Sequence, residues 1–169
     1  MFQPVKDWFA QKNWKPFPYQ QKAWKAFRDG KSGLIHVPTG SGKTYAATMG
    51  PIASMLEKPQ KGLKLLYLTP LRAVSRDIEQ ALRLPIESQG WPLKVESRTG
   101  DTSGSRKQKQ LKNPPDILIT TPESLSVLLS REGSGAFFSN LQCVVVDEWH
   151  ELMGGKRGSQ TELCLAHLR

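Results

Sequence analysis

Five short apolar runs, rich in β-branched residues, alternate along the chain with stretches of helical periodicity. The apolar runs cover residues 33–37, 64–69, 93–97, 116–120 and 142–147. The helical patterns between them cover residues 43–56, 71–88, 106–112 and 123–130. Strands that alternate with helices in this way form a parallel sheet with helices on both faces. The sequence therefore predicts a three-layer α/β domain whose ligands bind where the strands end.

Composition points to a globular domain without a membrane segment. The chain has 169 residues, of which 38% are hydrophobic and 23% are charged, and these fractions are typical of folded domains. No apolar run approaches the ~20 residues of a membrane helix. Residues 1–22 are aromatic and basic, are interrupted by three prolines, and lack the apolar core of a signal peptide. We therefore expect a cytoplasmic protein with no membrane partner.

The net charge of the chain favours polyanionic partners. The formal charge is +9 at pH 7, and each phosphate that a basic protein neutralises releases counterions. The basic run at residues 106–109 is interpreted as a solvated helix face. Glycine-rich stretches at 100–104, 133–135 and 154–158 are predicted to be flexible connections. Charge alone raises the expectation of a nucleic-acid partner without establishing it.

A glycine-rich loop joins the first predicted strand to the first predicted helix. Glycines allow main-chain N–H groups to turn inward around phosphate oxygens, and the helix N-terminus adds partial positive charge. In this pattern the lysine reaches the β- and γ-phosphates and the following hydroxyl ligates Mg²⁺. A plain glycine-rich turn is the competing interpretation, and Val37 replaces the glycine of the strict pattern. The sequence predicts that ATP binds at Thr39, Gly40, Ser41, Gly42, Lys43 and Thr44.

The last apolar run ends in two carboxylates, Asp147 and Glu148. Asp147 is predicted to hold Mg²⁺ together with Thr44. Glu148 is predicted to orient the water that attacks the γ-phosphate. Such a pair can also cap a following helix, but the phosphate loop upstream favours catalysis. The predicted catalytic residues are Lys43, Asp147, Glu148 and His150.

The order Asp-Glu-x-His resembles the DEAD/DEAH-box helicases of superfamily 2. Phe17-Pro18-Tyr19-Gln20 resembles their Q motif, and this resemblance implies that Gln20 reads the adenine edge. Phe17 either stacks on adenine or fills the core. Gln20 on its own could equally be a surface residue at the start of a helix.

Three further segments resemble helicase motifs that hold the sugar–phosphate backbone of one strand. They begin at Thr69 (motif Ia), Thr99 (the short glycine motif) and Thr121 (motif Ib). Loop N–H groups, hydroxyls and an arginine contact phosphate without reading base sequence. Thr-Pro pairs after strands are also ordinary turn chemistry. The resemblance implies nucleic-acid contacts at Pro70, Arg72, Thr99, Gly100, Thr121 and Pro122.

The segment after His150 resembles the large helicase-related (Lhr) family. Its match includes Gly-Lys-Arg-Gly at 155–158, and Trp149 with Ser-Gln-Thr-Glu-Leu at 159–163 resembles the bacterial ligase-associated branch. This likeness implies DNA repair, ATP-driven translocation on single-stranded DNA, and unwinding of DNA or DNA/RNA duplexes. It also implies DNA-repair proteins such as a ligase as partners.

Helicases of this superfamily bind ATP between two RecA-like domains, the second of which supplies an arginine finger. Residues 1–169 are expected to be the N-terminal RecA-like domain alone, ending before motif III, with the second domain missing in cis. The expected function is the ATP-binding domain of a DNA helicase. An RNA helicase domain, a small phosphate-loop kinase or GTPase, and a non-catalytic ATP- or nucleic-acid-binding module remain as alternatives. Gln20 and the Asp-Glu-x-His order argue against the kinase or GTPase.

Overall fold

The chain divides into two compact units. The computed structural model describes residues 1–169. The first unit contains residues 1–60 and 87–92, and the second contains residues 61–86 and 93–169. No helix in the chain combines the length and the apolar composition that crossing a membrane requires.

The first unit contains three helices around an aromatic core. They are α1 (Gln3–Gln11), α2 (Pro18–Arg28) and α3 (Lys43–Glu57). The Trp24 indole N–H donates to the main-chain carbonyl of Tyr45 at 2.9 Å, and the Trp8 and Tyr45 rings lie 5.1 Å apart. Pro4 and Pro18 stand in the first turns of α1 and α2, where a missing N–H costs nothing. Pro16 lies in the break between α1 and α2, as the expected interruption requires, whereas Pro4 and Pro18 begin helices instead of interrupting the segment.

The predicted strand at residues 33–37 does not form. The sheet of the structure contains four strands, and none of them lies in this segment. Leu34 is 83% exposed, so its side chain lacks the packing that favours apolar residues in strands. A segment forms a strand only when it pairs with a neighbouring strand. The apolar residues in 33–37 do not by themselves provide such a neighbour.

The second unit contains a parallel sheet with the strand order β2-β3-β1-β4. Its four strands lie within or largely within the remaining predicted runs, but each is only four residues long. They are β1 (Leu65–Leu68), β2 (Val95–Arg98), β3 (Ile117–Thr120) and β4 (Cys143–Val146). Leu68 pairs with Thr120 on one side and with Val146 on the other, so β1 is an inner strand. The parallel sheet that the sequence predicts is confirmed.

Six helices complete the second unit. The first three are α4 (Arg72–Ser88), whose last two residues are grouped with the first unit, α5 (Gly104–Lys112) and α6 (Pro122–Leu129). The others are α7 (Ser134–Phe138), α8 (Trp149–Leu152) and α9 (Lys156–His167). Residues 156–158, predicted as part of a flexible connection, form the first turn of α9. The core of the unit is mainly aliphatic, with Leu63, Leu66, Leu68, Leu118, Leu125, Leu128, Phe137 and Cys164 packed together.

Candidate nucleotide and nucleic-acid sites

The glycine-rich loop of the first unit leads directly into α3. Gly40 and Gly42 have φ of 79° and 84°, the left-handed region that side chains with a Cβ rarely adopt. A Cβ at Gly42 would also lie 2.6 Å from Nε2 of Gln20. Lys43 is the first residue of α3 and Thr44 the second, so both lie where helix N–H groups have no intrahelical acceptor. This arrangement suits an anion such as a phosphate.

The segment that resembles the Q motif is bonded to this loop. Gln20 donates from Nε2 to the Gly42 carbonyl at 3.1 Å, and the Phe17 N–H donates to Gln20 Oε1 at 2.9 Å. The Tyr19 hydroxyl donates to the Ser41 carbonyl. Gln20 is 2% exposed, so its interpretation as a surface residue is wrong. Its side chain holds the loop, and its reading of an adenine edge stays a prediction.

Phe17 does not belong to the core. Its side chain is 54% exposed, and its ring stacks on that of Tyr19 with centroids 6.0 Å apart and planes tilted by 16°. One of the two alternatives for Phe17, a place in the core, is therefore wrong. An exposed ring supported from one side is compatible with stacking on a base.

Each strand of the second unit runs directly into one of the predicted motifs. Thr99, Thr121, Thr69 and Asp147 follow β2, β3, β1 and β4, and in that order they cross one edge of the sheet. The Asp147 N–H donates to the Leu68 carbonyl at 2.8 Å, and the Thr69 N–H donates to the Thr120 carbonyl at 3.0 Å. The acidic motif is therefore hydrogen-bonded to the strand of motif Ia, which is itself bonded to the strand of motif Ib.

Thr69 carries a buried hydroxyl without a hydrogen-bond partner. The residue is 1% exposed, and no donor or acceptor reaches its Oγ1. Leaving such a group unsatisfied costs roughly 1–3 kcal/mol. Few buried polar groups in folded proteins are left in this state, so packing alone does not account for a threonine here.

The acidic motif forms a compact polar cluster. Glu148 has φ 47° and ψ 47° and precedes α8, a conformation that is uncommon for residues other than glycine. Its N–H donates to Asp147 Oδ1 at 3.0 Å. His150 is 70% exposed, and its Nε2 lies 3.3 Å from Glu148 Oε2 and 3.6 Å from Glu151 Oε1. The structure thus brings Asp147, Glu148 and His150 together, whereas their relation to Lys43 and Thr44 stays a prediction.

Arg72 of motif Ia crosses the loop that begins at Thr99. Its Nη1 lies 3.4 Å from Asp101 Oδ1, and a Cβ at Gly100 would lie 2.8 Å from its Cζ. The absence of a side chain at position 100 therefore leaves room for the Arg72 guanidinium. Thr99 Oγ1 accepts from the Asp101 N–H at 3.3 Å, which fixes the turn. Three of the six predicted nucleic-acid residues are in this way adjacent.

A cavity of about 650 Å³ opens beside this loop. Its lining includes three arginines, of which sequence reasoning found only Arg72. Arg76 follows one turn later on α4, a spacing that places both on one helix face and could have revealed it. Arg106 was interpreted as part of a solvated helix face, but it lines the cavity and lies 3.5 Å from Glu79. The lining is Arg72, Ala73, Ser75, Arg76, Ser97, Thr99, Asp101, Thr102, Ser103 and Arg106.

Glu79 is the acidic partner of Arg106 and of Arg83, which follows it by one helical turn. Burial acts to raise the pKa of its carboxyl, but a hydrogen bond from Ser97 and the hydrogen bond and charge of Arg83, together with the charge of Arg106, lower the pKa overall. Glu79 therefore stays ionised at neutral pH and holds Arg83 at 2.8 Å.

The loop of motif Ib caps α6 and is joined to α9. Thr121 Oγ1 accepts from the Ser124 N–H at 3.3 Å. Arg157, in the first turn of α9, donates from Nε to Glu123 Oε1 and from Nη2 to the Pro70 carbonyl, both at 2.6 Å. Sequence reasoning assigned no role to Arg157, although it lies in the Gly-Lys-Arg-Gly segment of the Lhr resemblance.

Residues 17–169 match the model of the DEAD/DEAH box helicase family. The chain belongs to that family.

The chain is similar to Lhr helicases. It is 41% identical over 181 residues to the ATP-dependent helicase Lhr-Core of Methanocaldococcus jannaschii, covering 98% of this chain and 21% of that protein. It resembles a solved structure of Mycobacterium smegmatis helicase Lhr bound to ssDNA and AMP-PNP, with TM-score 0.87 and 36% identity over 98% of this chain and 22% of the other. The chain thus spans about a fifth of the length of these relatives.

The fold itself recurs in a more distant structure. Mss116p bound to ssRNA and AMP-PNP has TM-score 0.81 and 22% identity, covering 98% of this chain and 34% of the other. The RecA-like α/β class with a parallel sheet, predicted from the sequence, is confirmed.

Proposed function

We propose that this chain is the N-terminal RecA-like, ATP-binding domain of a DNA helicase that couples ATP hydrolysis to translocation and unwinding. The observation that carries the proposal is the shared sheet edge. An acidic motif suited to ATP hydrolysis and three motifs suited to backbone phosphates follow neighbouring strands there. Ligands of open α/β sheets bind at this edge. Together with a second RecA-like domain, the chain would form a complete motor.

In this proposal the phosphate loop and the acidic motif divide the chemistry of hydrolysis. Lys43 neutralises the phosphates, and Glu148 polarises the attacking water while His150 holds its carboxylate. Thr44 and Asp147 offer a hydroxyl and a carboxylate, the oxygen ligands that Mg²⁺ prefers, and would hold the ion. Mg²⁺ would supply charge neutralisation at the phosphates. Phe17 would stack on the adenine, and Gln20 would hold the loop beneath it.

DNA is the proposed nucleic acid, and DNA repair in the cytoplasm is the proposed setting. The likeness to a helicase Lhr bound to ssDNA supports the first point. The assignment to the ligase-associated branch rests on Trp149 and residues 159–163, and a ligase partner depends on that assignment. Residues at the sheet edge would contact phosphates only, so binding should be indifferent to base sequence.

The test compares the parent chain with two variants, each joined to a second RecA-like domain. Lys43→Ala should weaken the binding of a fluorescent ATP analogue. Glu148→Gln should keep that binding and lose ATP turnover, because the phosphate and Mg²⁺ contacts remain. Unwinding of a tailed DNA duplex is measured beside the same duplex in RNA. Normal hydrolysis by Glu148→Gln would overturn its role, and unwinding of RNA alone would replace the DNA assignment.

A further inference from the structure

Arg157 contacts both of the segments that follow Thr69 and Thr121. Its Nε donates to Glu123 in the first turn of α6, and its Nη2 donates to the carbonyl of Pro70. Pro70 belongs to motif Ia, and Glu123 follows Thr121 and Pro122 of motif Ib. One planar guanidinium thus joins two loops that come from different strands.

The backbone of Arg157 is itself held in place. Thr161, which is buried, donates from Oγ1 to the Arg157 carbonyl at 2.8 Å. Gly158 lies so close to the Leu152 carbonyl that any Cβ at position 158 would overlap it. Further along α9, Cys164 packs in the core against α6. The main chain that carries the Arg157 side chain is therefore held in a fixed position.

We infer that Arg157 is a positioning residue that sets the spacing of the motif Ia and motif Ib loops, and so shapes the surface that receives the nucleic-acid backbone. The inference rests on the proposed function, since only nucleic-acid binding makes that spacing matter. Arginine suits the task because its fork presents Nε and Nη2 in a fixed geometry, whereas lysine offers a single ammonium. The lowered pKa of Glu123, which burial alone would raise, agrees with this pairing.

A direct phosphate contact by Arg157 is the competing role, since its side chain is 45% exposed. The two roles predict opposite effects at Glu123. A carboxylate beside a phosphate-binding arginine repels DNA, so Glu123→Gln would tighten binding if Arg157 were a ligand. If Arg157 is a positioning residue, the same change releases the guanidinium and weakens binding.

The experiment measures the affinity of the 169-residue chain for a fluorescent single-stranded oligothymidylate over a series of salt concentrations. Glu123→Gln and Arg157→Gln should each weaken binding by about three- to tenfold, the range for a partly exposed pair with one main-chain hydrogen bond. Arg157→Lys should recover little of the loss. Lys156→Gln is the matched control, because it removes the same charge from the neighbouring exposed position. Its affinity should change less than twofold.

The salt dependence separates positioning from contact. A lost phosphate contact lowers the slope of log affinity against log salt by about one, whereas misplaced loops weaken binding with less change in slope. Tighter binding by Glu123→Gln, or a loss in Arg157→Gln that Lys156→Gln reproduces, would overturn the inference.

A second measurement does not depend on nucleic acid. Hydrogen exchange at residues 71–73 and 121–125 should accelerate in Arg157→Gln, whereas exchange at residues 99–102 should stay as in the parent chain. Unchanged exchange at both loops would overturn the positioning role. If the parent chain and Arg72→Glu bind the oligonucleotide equally, the proposed nucleic-acid surface fails, and the exchange result still decides whether Arg157 positions the loops.

Discussion

The unsatisfied hydroxyl of Thr69 predicts a stabilising substitution. Thr69→Val replaces a buried oxygen that has no partner with a methyl group of similar size. We expect the free energy of unfolding to rise by about 1 kcal/mol, since a desolvated polar group is removed. Chemical denaturation measures the change. Thr120→Val is the control, because Thr120 Oγ1 donates to the Arg98 carbonyl at 2.6 Å and its loss should destabilise the chain. A stability loss at both positions would show that Thr69 Oγ1 has a partner in solution.

Gly158 predicts the opposite outcome. An alanine there would press its Cβ into the Leu152 carbonyl, which is main chain and cannot turn away. Overpacking of this kind costs about 1–3 kcal/mol, and the midpoint of thermal unfolding should fall. Gly135→Ala is the control in a helix where a Cβ meets nothing within 4 Å. There the change should stabilise by about 0.5–1 kcal/mol.

At the scale of elements, the ion pair between α6 and α9 predicts a pH dependence. The pKa of Glu123 is lowered from its ordinary 4.5, with burial opposing the hydrogen bond and charge of Arg157. A carboxyl with a lowered pKa stabilises the fold above its unfolded pKa, and that contribution is lost as pH falls through the folded value. The gap in thermal stability between the parent chain and Arg157→Gln should therefore be full at pH 7 and should narrow well below pH 4.5, where only the bond of Arg157 to the Pro70 carbonyl remains. A gap that is constant with pH would show that Glu123 does not contribute to it.

The elements that the sequence predicts well are the strands whose own residues are mostly apolar. The runs at 64–69 and 116–120 have apolar centres between polar ends, and each contains a strand in which every residue is buried. The run at 33–37 has a similar composition, but strand formation depends on a pairing partner that composition does not specify. The helix α1 and the full extent of α2 were missed because prolines that begin a helix were interpreted as interruptions.

In the candidate sites, motifs of consecutive residues were predicted from the sequence, whereas contacts between distant residues were not. Each strand-end motif was found because its residues are consecutive in the chain. The hydrogen bonds of Arg157 join it to Glu123 and Pro70, which are 34 and 87 residues away. No periodic pattern in the sequence indicates a contact between residues so far apart. Gln20 was singled out by the motif resemblance, but its bond to the loop carbonyl of Gly42 could not be predicted from the sequence.

For the whole molecule, the family architecture predicts that the 169-residue chain alone is nearly inactive. In related phosphoryl transfer an arginine finger contributes about 10³–10⁵ in rate, and the helicase resemblance implies that the second domain supplies it. The chain should bind ATP with Mg²⁺ weakly and show no stimulation by single-stranded DNA. Steady-state ATPase assays, repeated with a second RecA-like domain joined to the chain, measure the difference. Strong DNA-stimulated hydrolysis by the chain alone would contradict the two-domain mechanism.

The strand order also determines how the sheet can assemble during synthesis. The first strand does not pair with the next one in sequence: β1 lies between β3 and β4, whereas β2 pairs with its successor β3. Pairing between segments that are distant in sequence is slow, because long loops must close first. On the ribosome, β1 must therefore wait for residues 143–146 before its second edge is covered. Unpaired apolar edges are sites of aggregation, so β1 keeps an aggregation-prone edge until most of the chain has been made.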